Sequence, residues 1–229
     1  TPLAVIRTAA ELSLRHGRTP ESYRKTIESI HRETASMTEL VEQLLLLARE
    51  DSGQWQFRFD AILLGDILRT LGALLNPMAE VRGICLQWRL PAAEPLVWAD
   101  GEAMRRVVMI CVDNALKYTP SGGAVTVELS RADQTALIEI TDNGAGIADE
   151  HLPHVFERFY RADAARTAGE GAGLGLSIAR TIVEAHRGKI RISSREGAGT
   201  KVTILLPVLS AEQRPRAEAT LSSAQWPAS

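Results

Sequence analysis

Three short motifs carry the residues whose types and spacing could do chemistry. They are Asn-Ala-Leu-Lys-Tyr at residues 114–118, Asp-Asn-Gly-Ala-Gly-Ile at 142–147 and Gly-Ala-Gly-Leu-Gly-Leu at 171–176. They offer a metal-binding amide with a cation, a carboxylate beside flexible backbone, and a glycine-rich start to a helix. Each motif alone is common, but their order, with Phe-Glu-Arg-Phe-Tyr-Arg at 156–161 between the second and third, predicts a pocket for Mg-ATP.

The first motif ends a predicted helix over residues 101–118. Steps of three and four residues return to the same side of a helix, so Asn114, Lys117 and Tyr118 are expected to converge. The amide oxygen of Asn114 is a hard neutral ligand that suits Mg²⁺, and Lys117 would neutralise a phosphate. The alternative, in which Asn114 only caps or bridges and Lys117 is solvated, stays open at this point.

The second motif follows a predicted strand that ends at Asp142. A carboxylate there can accept a hydrogen bond from the exocyclic amine of adenine, whereas guanine in the same pose would present a carbonyl. Gly144 and Gly146, followed by Ile147, would let a flat ligand approach the backbone closely. The competing interpretation is an ordinary type I turn, in which Asp and Gly are common.

The stretch from 148 to 173 is long and polar, which is typical of a lid. Its arginines, Arg158, Arg161 and Arg166, are candidates to stabilise charge on a terminal phosphate. The alternative is a solvated charge cluster anchored in the core by Phe156 and Phe159.

The third motif leads into a helix whose first N–H groups are free to bind phosphate. It fits neither the P-loop nor the Rossmann pattern, because the Gly-Lys-Ser/Thr ending and the Rossmann spacing are both missing. Its candidate nucleotide-binding residues are Gly171, Gly173, Leu174, Gly175 and Leu176.

Composition sets the class of protein. The chain has 229 residues, 45% hydrophobic and 24% charged, with a formal net charge of −2, which is ordinary for a globular protein and gives no sign of a nucleic-acid partner. It contains no apolar run near the roughly 20 residues of a spanning helix and no signal peptide, so no membrane contact is expected for this part. Cys85 and Cys111 are predicted to be reduced core residues of a cytoplasmic chain. Because it begins with Thr1 rather than Met, we expect a fragment or a processed product.

The elements that must position these residues begin with a helical hairpin. One helix is predicted over 1–17, and a second follows Thr19 as N-cap and Pro20 at the first helical position. The second helix carries a heptad seam at Ile27, Ile30, Thr34, Met37, Val41, Leu44 and Ala48. Such a seam predicts a dimeric four-helix bundle, although a hairpin packed on the rest of the same chain remains an alternative.

The rest of the chain predicts an α/β sandwich with a mainly antiparallel sheet. Strands are expected at 55–59, 84–90, 124–130, 136–142, 189–194 and 200–206, and helices at 62–82, 101–118 with Asp100 as N-cap, and 174–186. Pro91 and Pro95 are expected in a loop. The predicted domains are a helical hairpin over 1–52, an ATP-binding domain over 53–208 and a disordered tail over 209–229.

From Thr1 to about Pro207 these motifs resemble the catalytic half of a sensor histidine kinase, whose ATP-binding domain has the Bergerat fold also found in gyrase, Hsp90 chaperones and MutL. The resemblance includes Ser-Arg-Glu-Gly-Ala-Gly-Thr at 194–200, which is similar to the family's final glycine motif and adds Thr200 to the nucleotide site. It implies an α+β fold in which Asn114 binds Mg²⁺, Asp142 selects adenine and residues 171–175 contact phosphates.

The opening Thr1-Pro2-Leu3 resembles the end of the family's phosphoacceptor motif. The resemblance places the acceptor histidine four residues before Thr1 and gives Thr1 a role in dephosphorylating the response regulator. It implies transfer of the γ-phosphoryl of ATP to that histidine and then to a regulator aspartate. It also implies a homodimer formed through residues 1–50 and a membrane-anchored parent protein with this part on its cytoplasmic face. A nucleotide-binding dimerisation module without catalysis is the alternative.

Ile110 departs from the family pattern. Many histidine kinases have Asn at this position, and the ATP-hydrolysing relatives have a general-base Glu there, one turn before Asn114. An apolar side chain cannot activate water, so a machine that hydrolyses ATP is disfavoured and transfer to a protein nucleophile is favoured.

Overall fold

A computed structural model describes residues 2–15, 19–51, 55–162 and 172–209 of the chain. The chain divides into two compact units, one made of residues 1–55 and 163–174 and the other of residues 56–162 and 175–229. Within the described ranges, no helix combines the length and the apolar character that crossing a bilayer requires.

The helical unit is built from α1 (Pro2–Arg15) and α2 (Pro20–Asp51). The predicted N-cap of α2 is confirmed, because the Ser22 N–H donates to Thr19 Oγ1 over 3.3 Å. Three apolar residues of the predicted heptad seam are exposed in the single chain, with Ile27 64%, Val41 52% and Leu44 41% accessible, whereas Ile30 and Met37 are half-buried. Apolar side chains of this size gain stability when another helix covers them, which is what the heptad spacing predicts.

The described part of the second unit contains two sheets, three α-helices and a short 3-10 helix at Leu152–His154. In chain order its elements are β1 (Asp60–Leu63), α3 (Leu64–Val81), β2 (Cys85–Arg89), β3 (Leu96–Ala99), α4 (Gly101–Tyr118), β4 (Ala124–Ala132), β5 (Thr135–Asp142), α5 (Gly175–Ala185), β6 (Lys189–Arg195) and β7 (Gly199–Pro207). The main sheet has the strand order β2-β4-β5-β7-β6, and only the β2–β4 pair is parallel. The predicted α+β class, a helical hairpin followed by an α/β sandwich, is confirmed.

The core lies between the main sheet and the three helices. Every second residue of β5 is buried, including Ile138 and Ile140, which are each 1% accessible. The helices contribute apolar residues spaced three and four apart, such as Leu68, Leu71 and Leu75 on α3. The alternating strand pattern and the helical spacing that predicted these elements therefore describe one shared interior.

The strand predicted at 55–59 is wrong, because these residues do not pair in a sheet. The backbone N–H of Arg58 donates instead to Asp100 Oδ2 over 2.8 Å. The rings of Phe57 and Phe59 lie 4.9 and 4.7 Å from the ring of His186. The alternation of aromatic residues that predicted a strand reflects packing on this histidine.

A short strand, β3, was expected to be part of a loop. It pairs antiparallel with β1, and the ladder joins Leu63 to Leu96 and Asp60 to Ala99. Leu209 extends the same region, because its N–H donates to Leu96 O over 2.8 Å and its side chain is buried with Ala61 and Leu96. Leu209 begins the predicted tail, and the remainder of that tail, residues 210–229, lies outside the described residues.

The two cysteines differ in environment, and both thiols are free. Cys111 on α4 is a core residue as predicted, and burial raises the pKa of its thiol to about 12. Cys85 is exposed, so its assignment to the core is wrong. It lies on β2, an edge strand of the main sheet, where alternate residues face solvent.

His186 is a buried imidazole that joins three segments of the second unit. Its Nδ1 lies 2.7 Å from Ile182 O, and its Nε2 accepts the Asp100 N–H over 3.0 Å. Because a carbonyl only accepts, Nδ1 carries the proton and the ring is neutral. Burial lowers the pKa of His186, against the smaller opposing effects of the Ile182 hydrogen bond and the Asp100 charge.

This environment predicts a pH dependence of stability. The folded pKa lies below the unfolded value, so the stabilisation is complete above the unfolded pKa of about 6.5 and is lost as the pH falls towards the folded pKa. We expect wild type to lose more free energy of unfolding between about pH 7.5 and pH 5.5 than His186→Gln, which cannot titrate there. Urea unfolding at both pH values measures this, and equal losses in the two proteins would contradict it.

The turn between β6 and β7 provides a matched pair of glycines. Gly197 and Gly199 have φ of +75° and +92°, but a Cβ on Gly197 meets nothing within 4 Å, whereas one on Gly199 would overlap the backbone carbonyl of Asp142. We expect Gly197→Ala to lower the free energy of unfolding by about 1–2 kcal/mol, the cost of left-handed backbone. Gly199→Ala should cost clearly more, because the overlap adds to that strain. Thermal and urea unfolding of the two variants tests this, and equal destabilisation would refute the close approach to Asp142.

Candidate nucleotide-binding site

Three polar side chains form a row across the end of the main sheet. The β5–β7 ladder runs to Thr141–Lys201, which puts Asp142 beside Thr200, and β6 pairs Ser194 with Thr200. Opposite residues of an antiparallel pair share a face. Ile140 and Val202, two residues from Asp142 and Thr200 along their strands, are buried, so this row lies on the face that the helices cover.

Asp142 is the buried acceptor of the row, with 9% of its surface accessible. Its Oδ1 accepts from Gly144 N–H over 2.8 Å and from Thr200 N–H over 3.2 Å. Neither bond from the described residues uses Oδ2, which leaves that oxygen to accept from a ligand. Burial raises the pKa of Asp142, and the two backbone hydrogen bonds counter that rise in part. This donor set fits an exocyclic amine, which can offer a proton to Oδ2.

The glycines of the second motif make room for the protein's own backbone. A Cβ on Gly144 would overlap the carbonyl oxygen of Tyr118, which accepts the Ala145 N–H over 3.2 Å. A Cβ on Gly146, whose φ is +70°, would overlap the carbonyl oxygen of Arg195. The loop over 142–147 is therefore threaded between the end of α4 and the β6–β7 turn, and close approach of a ligand to these glycines stays a prediction.

The helix α4 carries the predicted residues Asn114, Lys117 and Tyr118, and its predicted N-cap is confirmed. Asp100 Oδ1 accepts the Ala103 N–H over 2.9 Å, and α4 ends at Tyr118. Asn114 and Lys117 are half-buried near this end, and the Lys117 ammonium lies 5.2 Å from the centroid of the Tyr118 ring. A neutral amide oxygen fits Mg²⁺ that also takes phosphate oxygens and water, so Asn114 is suited to hold the ion.

Ile110 lies one turn before Asn114 and is also half-buried. An ideal Cβ on Gly175, the first residue of α5, would lie 3.1 Å from Ile110 Cγ2. The apolar side chain at 110 thus lies close to the start of α5, and it offers no group that could activate water.

The third motif opens α5 as predicted. Gly173 has a φ of +73°, Leu174 is buried and the helix begins at Gly175. Leu176 is half-buried in the first turn of α5. Gly171 lies outside the described residues.

The described part of the predicted lid contains Arg158 and Arg161, whereas Arg166 lies outside the described residues. The alternative in which both phenylalanines anchor a core is wrong for Phe159, which is 61% exposed with a φ of +65°. Phe156 is half-buried, and the Arg180 guanidinium lies 5.7 Å from its ring centroid. Contact of the lid arginines with a phosphate stays a prediction.

Sequence reasoning did not assign a role to Tyr160 or Ser194, and the structure shows what each contacts. Tyr160 OH lies 2.8 Å from His151 Nδ1, which links the two ends of the segment that contains Arg158. Ser194 contacts both the 142–147 loop and Thr200, because its Oγ lies 2.8 Å from Ile147 N and 2.9 Å from Thr200 Oγ1. The available signal for Ser194 was the short hairpin spacing, which places it opposite Thr200 when the strands pair.

Comparison with known families agrees with this geometry. The family described as "Histidine kinase-, DNA gyrase B-, and HSP90-like ATPase" matches residues 99–210. The family described as "His Kinase A (phospho-acceptor) domain" matches residues 1–53.

Matches to individual relatives cover about nine tenths of this chain. The sensor histidine kinase YkoH of Bacillus subtilis is 35% identical over 208 residues, which are 89% of this chain and 44% of YkoH. The signal transduction histidine-protein kinase BaeS of Escherichia coli is 33% identical over 211 residues, which are 91% of this chain and 44% of BaeS. The chain spans less than half the length of these relatives.

Solved structures give the same result. The mycobacterial sensor histidine kinase MprB is 31% identical with a TM-score of 0.57, and the match covers 65% of this chain and 98% of that one. The histidine kinase AdeS of Acinetobacter baumannii shares the fold. It is 18% identical with a TM-score of 0.71, and the match covers 92% of this chain and 96% of that one. The resemblance predicted from the motifs is confirmed, and the chain belongs to the sensor histidine kinase family.

Proposed function

We propose that this chain is the catalytic core of a protein-histidine kinase, which binds Mg-ATP and transfers the γ-phosphoryl to a histidine for relay to a response-regulator aspartate. The observation that carries the proposal is the buried Asp142 carboxylate, whose Oδ1 is held by two backbone donors while Oδ2 is left for an amine. The family match to both an ATPase domain and a phosphoacceptor domain supports it.

The proposed site assigns one task to each group of residues. Asp142 selects adenine, Asn114 holds Mg²⁺, and Arg158 and Arg161 stabilise charge on the transferred group. The remaining nucleotide contacts are proposed for Lys117, Tyr118, Gly144, Gly146, Ile147, Gly171, Gly173, Leu174, Gly175, Leu176 and Thr200.

Catalysis in this proposal rests on positioning and charge neutralisation. When bound, Mg²⁺ would offset the negative charge of the phosphates. The helix α5 begins at Gly175, close to Ile110 of α4, and in this proposal its first N–H groups and positive terminus bind the phosphates. Ile110 leaves no base one turn before Asn114, which disfavours water and favours a protein nucleophile.

The proposed assembly follows from the same family match. We propose a homodimer through residues 1–50, in which the exposed seam residues of α2 are covered by a second hairpin. One solved relative, the histidine kinase ThkA, is in complex with the response regulator protein TrrA, and we propose a receiver domain as partner here too, with Thr1 at the dephosphorylation position. The proposed domains are residues 1–52, 53–208 and 209–229, in a membrane-anchored parent whose cytoplasmic part is this chain.

The kinase activity can be tested in a version extended at its N-terminus by the phosphoacceptor motif, with histidine four residues before Thr1. We expect label from γ-labelled ATP to appear as acid-labile, base-stable phosphate, and to be absent when that histidine is replaced by Gln. Steady-state release of free phosphate should stay near background because of Ile110. An extended protein that binds ATP but takes up no label would contradict the kinase and leave a nucleotide-binding module.

Asp142→Asn is predicted to separate binding from folding. The Gly144 and Thr200 N–H groups require an acceptor, so they would hold the amide oxygen at the Oδ1 position and place the amide NH₂ where Oδ2 was. Two donors would then face each other, and we expect ATP affinity to fall about 10- to 100-fold, as for loss of a hydrogen bond to a charged group. Isothermal titration with ATP and Mg²⁺ measures this.

Stability provides the control for the same variant. The raised pKa of Asp142 means that wild type loses stability relative to Asp142→Asn as the pH rises from the unfolded value of 3.8 through the folded one. The urea concentration at which the variant unfolds should therefore rise relative to that of wild type between about pH 3.8 and neutral pH, while the variant binds ATP less tightly. Unchanged ATP affinity would refute the adenine role of Asp142.

A further inference from the structure

Ser194, to which the proposed function gives no role, is the centre of a hydrogen-bonded group. Its Oγ lies 2.8 Å from Gly199 O, 2.8 Å from Ile147 N and 2.9 Å from Thr200 Oγ1. Ser194 is half-buried and lies directly opposite Thr200 in the β6–β7 ladder. The two hydroxyls are therefore fixed relative to each other by the backbone of two paired strands.

The direction of each hydrogen bond follows from the chemistry of the partners. A carbonyl only accepts, so the single hydroxyl proton of Ser194 is donated to Gly199 O. A backbone N–H only donates, so Ile147 N–H occupies one lone pair of Ser194 Oγ. The contact with Thr200 must then be a donation from Thr200 to the second lone pair of Ser194.

This direction decides what Thr200 presents to the site. With its proton committed to Ser194, the Thr200 hydroxyl has only lone pairs left to offer. Asp142 lies beside Thr200 on the neighbouring strand, and it accepts the Thr200 N–H through Oδ1. The end of the sheet therefore offers two adjacent acceptors, Asp142 Oδ2 and Thr200 Oγ1, on the helix-covered face.

We propose that Ser194 is a specificity-determining positioning residue, which holds the Thr200 hydroxyl as an acceptor and so favours a 6-aminopurine over a 6-oxopurine. A 6-amino group carries two protons, one for each acceptor, whereas a 6-oxo group would place its lone pairs against both. This inference rests on the proposed ATP-binding function and adds to it a second acceptor and the residue that orients it.

The test compares ATP with inosine triphosphate, which carries an oxygen in place of the 6-amino group. In wild type with Mg²⁺ we expect ATP to bind more tightly than inosine triphosphate. In Ser194→Ala the Thr200 hydroxyl is free to turn and donate, so the ratio of the two affinities should fall about three- to tenfold. Ser194→Thr keeps a hydroxyl at this position and should restore the ratio.

A double-mutant cycle separates this role from a structural one. Thr200→Val removes the hydroxyl that Ser194 orients, so adding Ser194→Ala to Thr200→Val should leave the ratio unchanged. If Ser194→Ala lowers both affinities equally, or changes the ratio as much in the Thr200→Val background, the proposal is overturned. Should Ser194→Ala fail to fold, Ser194→Cys keeps the shape with a much weaker acceptor and should shift the ratio in the same direction.

Failure of the proposed function gives a different result. A wild-type chain that binds neither nucleotide would refute the ATP site as a whole. A wild-type chain that prefers ATP, with the same preference in Ser194→Ala and Ser194→Cys, would refute only the role of Ser194.

Discussion

The proposed nucleotide site depends on one interaction, the clamp formed by two backbone N–H groups that donate to Asp142 Oδ1. One oxygen of a buried carboxylate receives backbone donors from the loop that follows β5 and from the neighbouring strand β7. Those bonds fix the end of the sheet and leave the second oxygen oriented. The 142–147 loop then passes so close to Tyr118 that Gly144 has no room for a Cβ. The position of the last turn of α4, which carries Asn114 and Lys117, is thereby tied to the same carboxylate.

The clamp also shows how stability and function oppose each other at this site. Burial disfavours the charged carboxylate more than the two backbone bonds favour it, so the pKa of Asp142 is raised. A residue that served only the fold would be better neutral here. A ligand that donates a hydrogen bond to Oδ2 would offset the cost of this buried charge. Groups that destabilise the fold locally in this way are common in ligand-binding sites.

The parts of this structure that sequence predicted are those determined by local pattern. Asp100 caps α4 and Thr19 caps α2, because a side-chain oxygen at a helix start satisfies an N–H a few residues away. The strand β3 was missed because it has four residues and its partner, β1, lies more than thirty residues earlier, so its stability comes from pairing at long range. The alternating aromatics at 57 and 59 predicted a strand, but no spacing reveals that His186 would be their neighbour. The proton direction along Ser194 and Thr200 likewise required the distances to Gly199 and Ile147, which depend on how β6 and β7 pair.

Ile110 shows that packing and chemistry impose the same choice at one position. From the sequence alone, the consequence of isoleucine at position 110 is chemical, since an apolar side chain cannot activate water. The structure adds that α5 begins with a glycine close to Ile110 Cγ2, so the side chain at 110 lies beside the start of α5. A carboxylate at this half-buried position would lose part of its hydration. The choice of side chain at position 110 is therefore constrained by its packing beside the start of α5 as well as by its chemistry.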